Sequence, residues 1–467
     1  MVTEMIETYI ADFEASAMRE DMEEGNSYYR SENTEIMDRK FYIYAEDDTG
    51  NPVEIEDPYK ANNKLASGYF KLLVDQKVNY LLGNQPTVTT NQDLDILDNI
   101  FFRTVKKTGK EASKKIRGWL QPYIDSEGNF DYKRIPTEQV VPVYKANNAN
   151  ELEFVIRYYS VTVLNQEGNA VKVNRVEVWD DEEVTYYQES TFDGLYRLLD
   201  EGQMEEMLGS EFPNPKYHFQ RTMEYGQTTE TVEELSWGKP PFIPLENNDE
   251  LTNDLKPVKS FIDAYDIVKS DFVNNLEDFQ DVYWILKGYE GQNLNEFLEQ
   301  VKKYRSLKVA EDGDARAETI DIPEKARKEA LEGLERDIFT FGQGVNPNEL
   351  SGGNITNVVI KSRFANLDLK ADQFEDEIRQ FIEEFIDFYN IYREMNNEPP
   401  IEIEDMTFNR SMIMNEVEMA QLANQSKGSL SEETRLSNDP RVDDPEDEIE
   451  RMNNETANYI SLGGENE

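Results

Sequence analysis

A chain that cleaves or carries phosphate needs carboxylates, histidines or a phosphate-binding loop at fixed positions, so we begin with the residues that could supply them. Asp180-Asp181-Glu182-Glu183 and Asp443-Asp444 place adjacent carboxylates together, as a two-metal nuclease requires. Both runs lie in turn-like sequence with no matching acids at strand ends. With 96 Asp and Glu in the chain, such clusters arise by chance, and they read as solvated charge. Thr108-Gly109-Lys110-Glu111 has the Gly-Lys step of a phosphate-binding loop, but Thr104 stands where the earlier glycine belongs and no Ser or Thr follows the lysine. The loops at Asp48 and Glu311 lack the full calcium-loop spacing. His218, the one histidine, sits between Tyr217 and Phe219; it cannot build a multi-histidine zinc site and reads as structural. There are no cysteines, which excludes disulfides, thiolate metal sites and cysteine nucleophiles. No catalytic constellation, metal site or cofactor site emerges.

Two polar stretches remain. Lys106-Lys107, Lys110, Lys114-Lys115 and Arg117 form the one dense basic cluster. It reads as a solvated helix face, with contact to an acidic neighbour or to DNA as the functional alternative. The second stretch, Gly342 to Asn354, is rich in Gly and Asn and includes Ser351-Gly352-Gly353-Asn354. Just before a helix such a segment could hold an anion weakly; alone it reads as a flexible loop.

The elements that must position these residues follow from periodicity. Ile360, Phe364, Leu367, Ala371, Phe374, Ile378, Phe381, Phe385, Phe388 and Tyr392 recur at steps of four and three with no proline between them, which predicts one helix about 50 Å long. The N-terminus reads as an amphipathic acidic helix up to about Glu24, through Met5, Ile6, Tyr9, Ile10, Phe13 and Ala17, rather than as a signal peptide. A second helix is expected from Asn62-Asn63 to Gly83, and further helices over Leu94 to Trp119. Glu138–Tyr144, Leu152–Leu164, Val171–Trp179 and Val184–Gln188 alternate as an antiparallel meander. Residues 192 to 237 give no clear pattern. A helix near Asp254 with Pro257 in its first turn leads to a strand at Tyr283–Tyr289. A short helix over Leu294–Tyr304 and strands at Leu307–Ala310 and Glu318–Ile322 follow. Pro323 opens another helix through Phe341. Beyond the long helix come a strand within Ile401–Phe408, helices at Asn415–Gln425, Ser431–Asn438 and Asp444–Thr456, and a tail that reads as disordered. The fold class is α+β, predominantly α.

Composition bounds the function. Hydrophobic residues make up 38% and aromatics 11%, too apolar for a disordered chain yet low for a compact monomer, as when burial is shared between subunits. The formal net charge of −48 repels nucleic acid at long range, and tight phosphate-neutralising binding is excluded because that needs released counterions. No run approaches the ~20 apolar residues that span a bilayer, so no membrane role is expected.

Four blocks, taken together, carry a family resemblance. They are Asn63-Lys64-Leu65 through Val74-Asp75-Gln76-Lys77-Val78-Asn79-Tyr80-Leu81-Leu82-Gly83; Ile262-Asp263-Ala264-Tyr265-Asp266 through Leu276-Glu277-Asp278-Phe279 to Leu286-Lys287-Gly288-Tyr289; Leu334-Glu335-Arg336-Asp337-Ile338-Phe339-Thr340-Phe341-Gly342-Gln343-Gly344-Val345 on through Leu367-Asp368-Leu369-Lys370-Ala371; and Gly428-Ser429-Leu430-Ser431-Glu432-Glu433-Thr434 to Asp443-Asp444-Pro445-Glu446-Asp447-Glu448. In these the chain resembles the portal proteins of tailed double-stranded DNA phages, in the branch typical of phages of Gram-positive bacteria. Gly353-Asn354-Ile355-Thr356-Asn357 departs from the Ser-Gly-x-Ala-like start of the long helix that many members show.

The resemblance implies an elongated subunit of a ring, usually of twelve copies in the virion, with wing, stem, clip and crown around a channel. It divides the chain into a wing at 1–253, a first stem helix at 254–283, a clip at 284–322, a second stem helix at 323–343, a tunnel loop at 344–357, the long wing helix and return strand at 358–408, a crown at 409–456 and a tail at 457–467. Asn346, Asn348, Ser351, Gly352, Gly353 and Asn354 would face double-stranded DNA without sequence preference. Tyr289, Asn293, Lys302, Lys303 and Tyr304 in the clip would dock the terminase packaging motor and then head-completion proteins, with capsid or scaffold proteins around the ring. The protein would be assembled in the host cytoplasm and reside at a capsid vertex of the virion; it would not be an enzyme. The rival readings are an acidic metal-dependent nuclease and a structural adaptor that forms no ring.

Overall fold

The computed structural model describes residues 2–46, 51–57, 60–92, 94–164, 169–190, 194–208, 213–225, 229–278, 283–287, 314–318, 324–350, 356–412, 416–437, 441–442, 445 and 448–453. From the N-terminus the chain forms α1 (Val2–Glu14), α2 (Ala17–Tyr29), α3 (Thr34–Met37), β1 (Tyr42–Glu46), β2 (Pro52–Glu56), α4 (Tyr69–Leu82), β3 (Thr87–Thr90) and α5 (Asn99–Lys115). A strand-rich middle holds β4 (Arg117–Ile124), β5 (Phe130–Ile135), β6 (Val140–Lys145), β7 (Asn148–Leu164), β8 (Ala170–Trp179), β9 (Glu183–Glu189), β10 (Tyr196–Leu198), α6 (Glu201–Leu208), β11 (Lys216–Tyr217), β12 (Phe219–Tyr225), β13 (Thr229–Leu235) and β14 (Ile243–Glu246). Then come α7 (Lys259–Asp278), β15 (Tyr283–Lys287), β16 (Asp314–Glu318), α8 (Glu324–Phe341), α9 (Pro347–Leu350), α10 (Asn357–Met395), β17 (Ile403–Thr407), α11 (Glu416–Gln425) and α12 (Glu432–Ser437). Two compact units result: one of residues 1–22, 73–253 and 343–467, the other of 23–72 and 254–342.

The first unit is built on α10. Its 39 residues correspond to about 58 Å of helix. The stripe read from the sequence is the buried stripe: Phe374, Ile378, Phe381, Phe385 and Phe388 are all within 1% of full burial, and Ile382 and Ile386 widen it. Against it pack Val78 and Leu81 of α4, Phe101, Phe102, Val105 and Ala112 of α5, and Leu245 of β14. The ring of Phe101 lies 4.5 Å from that of Phe385. Asp98 starts α5, its carboxylate accepting from the amides of Ile100 and Phe101, as an N-cap should. The antiparallel sheet runs β10-β9-β8-β7-β6, with β11 on β9, and β14-β4-β5 form a second sheet. Ile6 and Phe13 of α1 and Met22 of α2 cover Val141, Ile156 and Val176 of the larger sheet.

The second unit holds a feature that the sequence pattern misses. Residues 61–68 are extended, not the first turns of a helix, and α4 begins only at Tyr69. Their alternate amides are taken by side chains of α7. Ser67 N donates to Asp266 Oδ1 (2.9 Å), Leu65 N to Ser270 Oγ (3.0 Å) and Asn63 N to Asn274 Oδ1 (2.6 Å). Two residues of extended chain advance about 6.6 Å and four residues of helix about 6 Å, so the two spacings stay in register. Helix α8 packs on α7, with Phe261 and Phe341 stacked at 5.0 Å and the Tyr69 ring against both Tyr265 and Phe339.

Other expectations shift. The N-terminal helix is two helices, because the Ser16 hydroxyl accepts from Arg19 N and starts α2. The helix expected over Leu94–Trp119 occupies only Asn99–Lys115; it stops at Ile116, whose φ is 74°, and the chain continues as β4. Pro257 lies in the turn before α7 rather than in its first turn. The partner of β15 is Asp314–Glu318, where the sequence suggested a turn ending at Asp314. Leu294–Tyr304, Leu307–Ala310, residues 319–322 and the tail at 457–467 lie outside the described residues.

Ser270→Ala removes the acceptor for a part-buried amide, and losing such a partner costs about 1–3 kcal/mol. Urea unfolding should show a loss of that size, and hydrogen exchange should speed up selectively at the Leu65 amide.

Candidate nucleic-acid-facing loop

The stretch from Gly342 to the start of α10 is less free than its composition suggests. Val345 is buried and packs with Tyr80, Ile360, Phe364, Leu367 and Ala371. The Gln76 carboxamide grips its backbone on both sides: Nε2 donates to Val345 O (2.7 Å) and Val345 N donates to Oε1 (3.0 Å). Gln343 takes a left-handed φ of 53°, which turns the chain out of α8. Asn346 then starts the single-turn helix α9, its Oδ1 accepting from Asn348 N at 2.9 Å and its carbonyl from Glu349 N at 3.1 Å. Asn346 is half-buried and Asn348 exposed. Of the six residues expected to face DNA, Asn346 therefore has a local capping role and Asn348 presents its side chain outward. Ser351, Gly352, Gly353 and Asn354 lie outside the described residues.

The far side of the loop is fixed as well. Thr356 precedes α10 without a side-chain cap, and Asn357 N donates instead to Glu418 Oε2 of α11 (2.6 Å). Tyr80 OH donates to Asp368 Oδ1 at 2.9 Å, and burial beside that carboxylate pushes the phenol up to about 12. Arg410 reaches Asp368 (3.1 Å), Asp372 (2.5 Å) and Glu375 (2.7 Å) along α10. The described ends of the loop are thus both anchored, at Val345 and again at Asn357.

The other chemistry-bearing residues resolve into structural roles. Asp180 closes the β8–β9 turn, its Oδ1 accepting from Glu182 N (2.9 Å) and Glu183 N (2.7 Å). Asp443 and Asp444 lie outside the described residues, as do Tyr289, Asn293, Lys302, Lys303 and Tyr304. Thr108-Gly109-Lys110 is mid-helix in α5, and a Cβ on Gly109 would meet the Phe374 ring at 3.1 Å; the glycine lets helix approach helix. The basic cluster is not a solvated face throughout. Lys114 and Lys115 are buried against Glu111 (2.8 and 3.0 Å), Lys115 also meets Glu138 (2.8 Å), and buried Arg117 meets Glu246 (3.1 Å). His218 is buried beside Trp179, its Nδ1 accepting from Trp237 N at 3.1 Å, and burial pushes its pKa down to about 4. No helix among the described residues is long and apolar enough to cross a membrane.

Two outcomes test this geometry. Gln76→Ala should speed hydrogen exchange at the Val345 amide while α10 stays protected. Because the chain has one histidine, its ring resonances titrate without overlap. They should remain those of neutral imidazole at pH 5.5, with a midpoint near 4; a midpoint near the ordinary value of about 6.5 would show the ring in water. A depressed pKa places the stability gained from neutral His218 above pH 6.5, and that gain is lost as pH falls toward 4.

The profile of the family "Phage portal protein, SPP1 Gp6-like" matches residues 12–461. Among curated proteins, the portal protein of Bacillus phage SPP1 is 32% identical over 453 residues, spanning 94% of this chain and 84% of that protein. The portal protein of Clostridium phage phiCD119 is 28% identical over 456 residues, spanning 92% of each. Both relatives come from phages of Gram-positive hosts, the branch that the four sequence blocks indicated. With the match running through the α7–α8 pair, the pinned loop and α10, the chain belongs to the SPP1 Gp6-like family of phage portal proteins.

Proposed function

We propose that the chain is one subunit of a closed ring, of twelve copies in the virion, that lines the channel at one capsid vertex. Double-stranded DNA passes through it during packaging and again at ejection. The family match over residues 12–461 carries this reading. On it, residues 254–283 and 323–343 are the stem helices, 284–322 the clip, 344–357 the tunnel loop and 409–456 the crown, with the remainder forming the wing. The clip, through Tyr289, Asn293, Lys302, Lys303 and Tyr304, receives the terminase motor and later the head-completion proteins. Capsid or scaffold proteins surround the assembled ring, which forms in the host cytoplasm. The motor supplies ATP hydrolysis, and the chain contributes no catalytic group.

The charge balance supports a passage role over a grip. Retention of DNA depends on bases that displace its counterions, and a chain with 96 acids to 48 bases offers a passing duplex few of them. Asn348, exposed beside the pinned Val345, and Ser351, Gly352, Gly353 and Asn354 beyond Glu349 are neutral groups suited to contact without sequence preference.

Native mass spectrometry or negative-stain imaging of the purified chain should show rings; small ringless species alone would overturn the proposal. In phage carrying Asn348→Ala, rings should form normally while packaged DNA per head falls severalfold. Loss of the rings themselves would make the loop an assembly element rather than a DNA contact.

A further inference from the structure

Resting on the ring reading, we propose that the β1–β2 hairpin is an arm that docks on helix α5 of the adjacent copy. The hairpin forms a sheet of its own, in the register Tyr42↔Glu56, Ile43↔Ile55 and Tyr44↔Glu54. Its root is fixed: Phe41 lies between the Arg39 guanidinium (4.7 Å) and the Lys60 ammonium (4.1 Å), and Arg39 is paired with Asp271 at 2.8 Å. Beyond the root four large apolar or aromatic side chains are exposed. Tyr42 is 55% and Tyr44 79% exposed, and Val53 and Ile55 are each 41% exposed. A lone two-stranded hairpin is at best marginally stable in water, so an anchored arm with uncovered aromatics calls for a partner surface.

The complementary surface is on α5. Ile100 is 64% exposed there, and Arg103 and Lys107 follow it at helical spacing on the same face. Among the described residues, Arg103 and Lys107 make no ion pair with a carboxylate, whereas Lys106 lies in the field of Asp75 and Lys110, Lys114, Lys115 and Arg117 are each paired within the subunit. An unpaired basic face is unusual in a chain of charge −48, and its counterpart is an acidic, partly apolar surface. The tyrosine face of the hairpin is such a surface, because Glu54 and Glu56 lie opposite Tyr44 and Tyr42. The spacings agree: residues two apart on a strand are about 6.8 Å apart and residues four apart on a helix about 6 Å, so Glu54 and Glu56 match Arg103 and Lys107. Glu56 already touches Lys40 at 3.6 Å, but so exposed a pair holds it weakly. Tyr42 and Tyr44 then cover Ile100. The contact joins different surfaces of two copies, the heterologous type that closes into rings.

The absence of cysteine gives a background-free test. The full chain carrying Tyr44→Cys and Lys107→Cys, treated with a short bismaleimide, should give a ladder of covalent multimers rising to the ring, while each single variant gives nothing above a dimer. Rings by native mass spectrometry without the ladder would overturn the arm and leave the ring reading intact; no rings and no ladder would remove both. In parallel, R103E/K107E should lower the fraction of ring at least tenfold, and adding E54K/E56K should restore it. Full ring yield in the first variant, or no recovery in the second, would also overturn the docking.

Discussion

Everything in the first unit leans on one constraint: an acid-rich chain must hide its apolar surface along a single helix. Phe374, Phe381, Phe385 and Phe388 of α10 are fully buried, and each such side chain contributes about 1.5–3 kcal/mol by leaving water. The neighbours are shaped to that stripe. Gly109 on α5 leaves clear the space where a Cβ would crowd the Phe374 ring at 3.1 Å. On another side Lys77, itself buried, places its ammonium 4.0 Å from the centre of the same ring and donates to Asn247 Oδ1 at 2.6 Å. A cation so deep is tolerated because an aromatic face and a carboxamide replace its water. Shortening Phe374 would therefore open a cavity and strip a buried charge of part of its solvation together.

That stripe was legible because its cause is local. A step of four and three residues is a property of the segment itself, and burial on α10 follows it residue by residue. The three strands of the meander were legible for the same reason, since alternation in β7, β8 and β9 needs no knowledge of the partner beyond the turn. Where the cause was distant, the sequence misled. Residues 61–68 contain good helix formers, yet their amides are claimed by Asp266, Ser270 and Asn274, some 200 positions away in the chain. Nothing near Asn63 announces that. Lys114, Lys115 and Arg117 looked like a solvated face because two of the carboxylates that draw them inward, Glu138 and Glu246, lie on later segments.

The candidate loop shows both outcomes within a dozen residues. Its described part is a turn followed by the single-turn helix α9. The glycines and asparagines gave no hint that Val345 is an anchor, because one valine has no period and its partner Gln76 belongs to another helix. Asn346 is an asparagine for a local reason, the cap on α9, which leaves Asn348 as the outward-facing member of the pair. Residue type indicated a polar loop; burial separates half-buried Asn346, which starts α9, from exposed Asn348.

The ion pairs carry a consequence for a channel. Bases are half as numerous as acids, 48 against 96, and several are spent internally: Lys77, Lys114, Lys115, Arg117 and Arg435 are all buried. Arg410 bridges three carboxylates of one helix. Each base turned inward lowers repulsion among buried or crowded acids and also removes a cation from the outer surface. Buried acids are fewer, Glu177, Asp254 and Asp266 among the described residues, so the charge left outside leans further toward the acids. Exposed Arg103 and Lys107, which make no ion pair among the described residues, are therefore bases left on the surface of a strongly acidic chain.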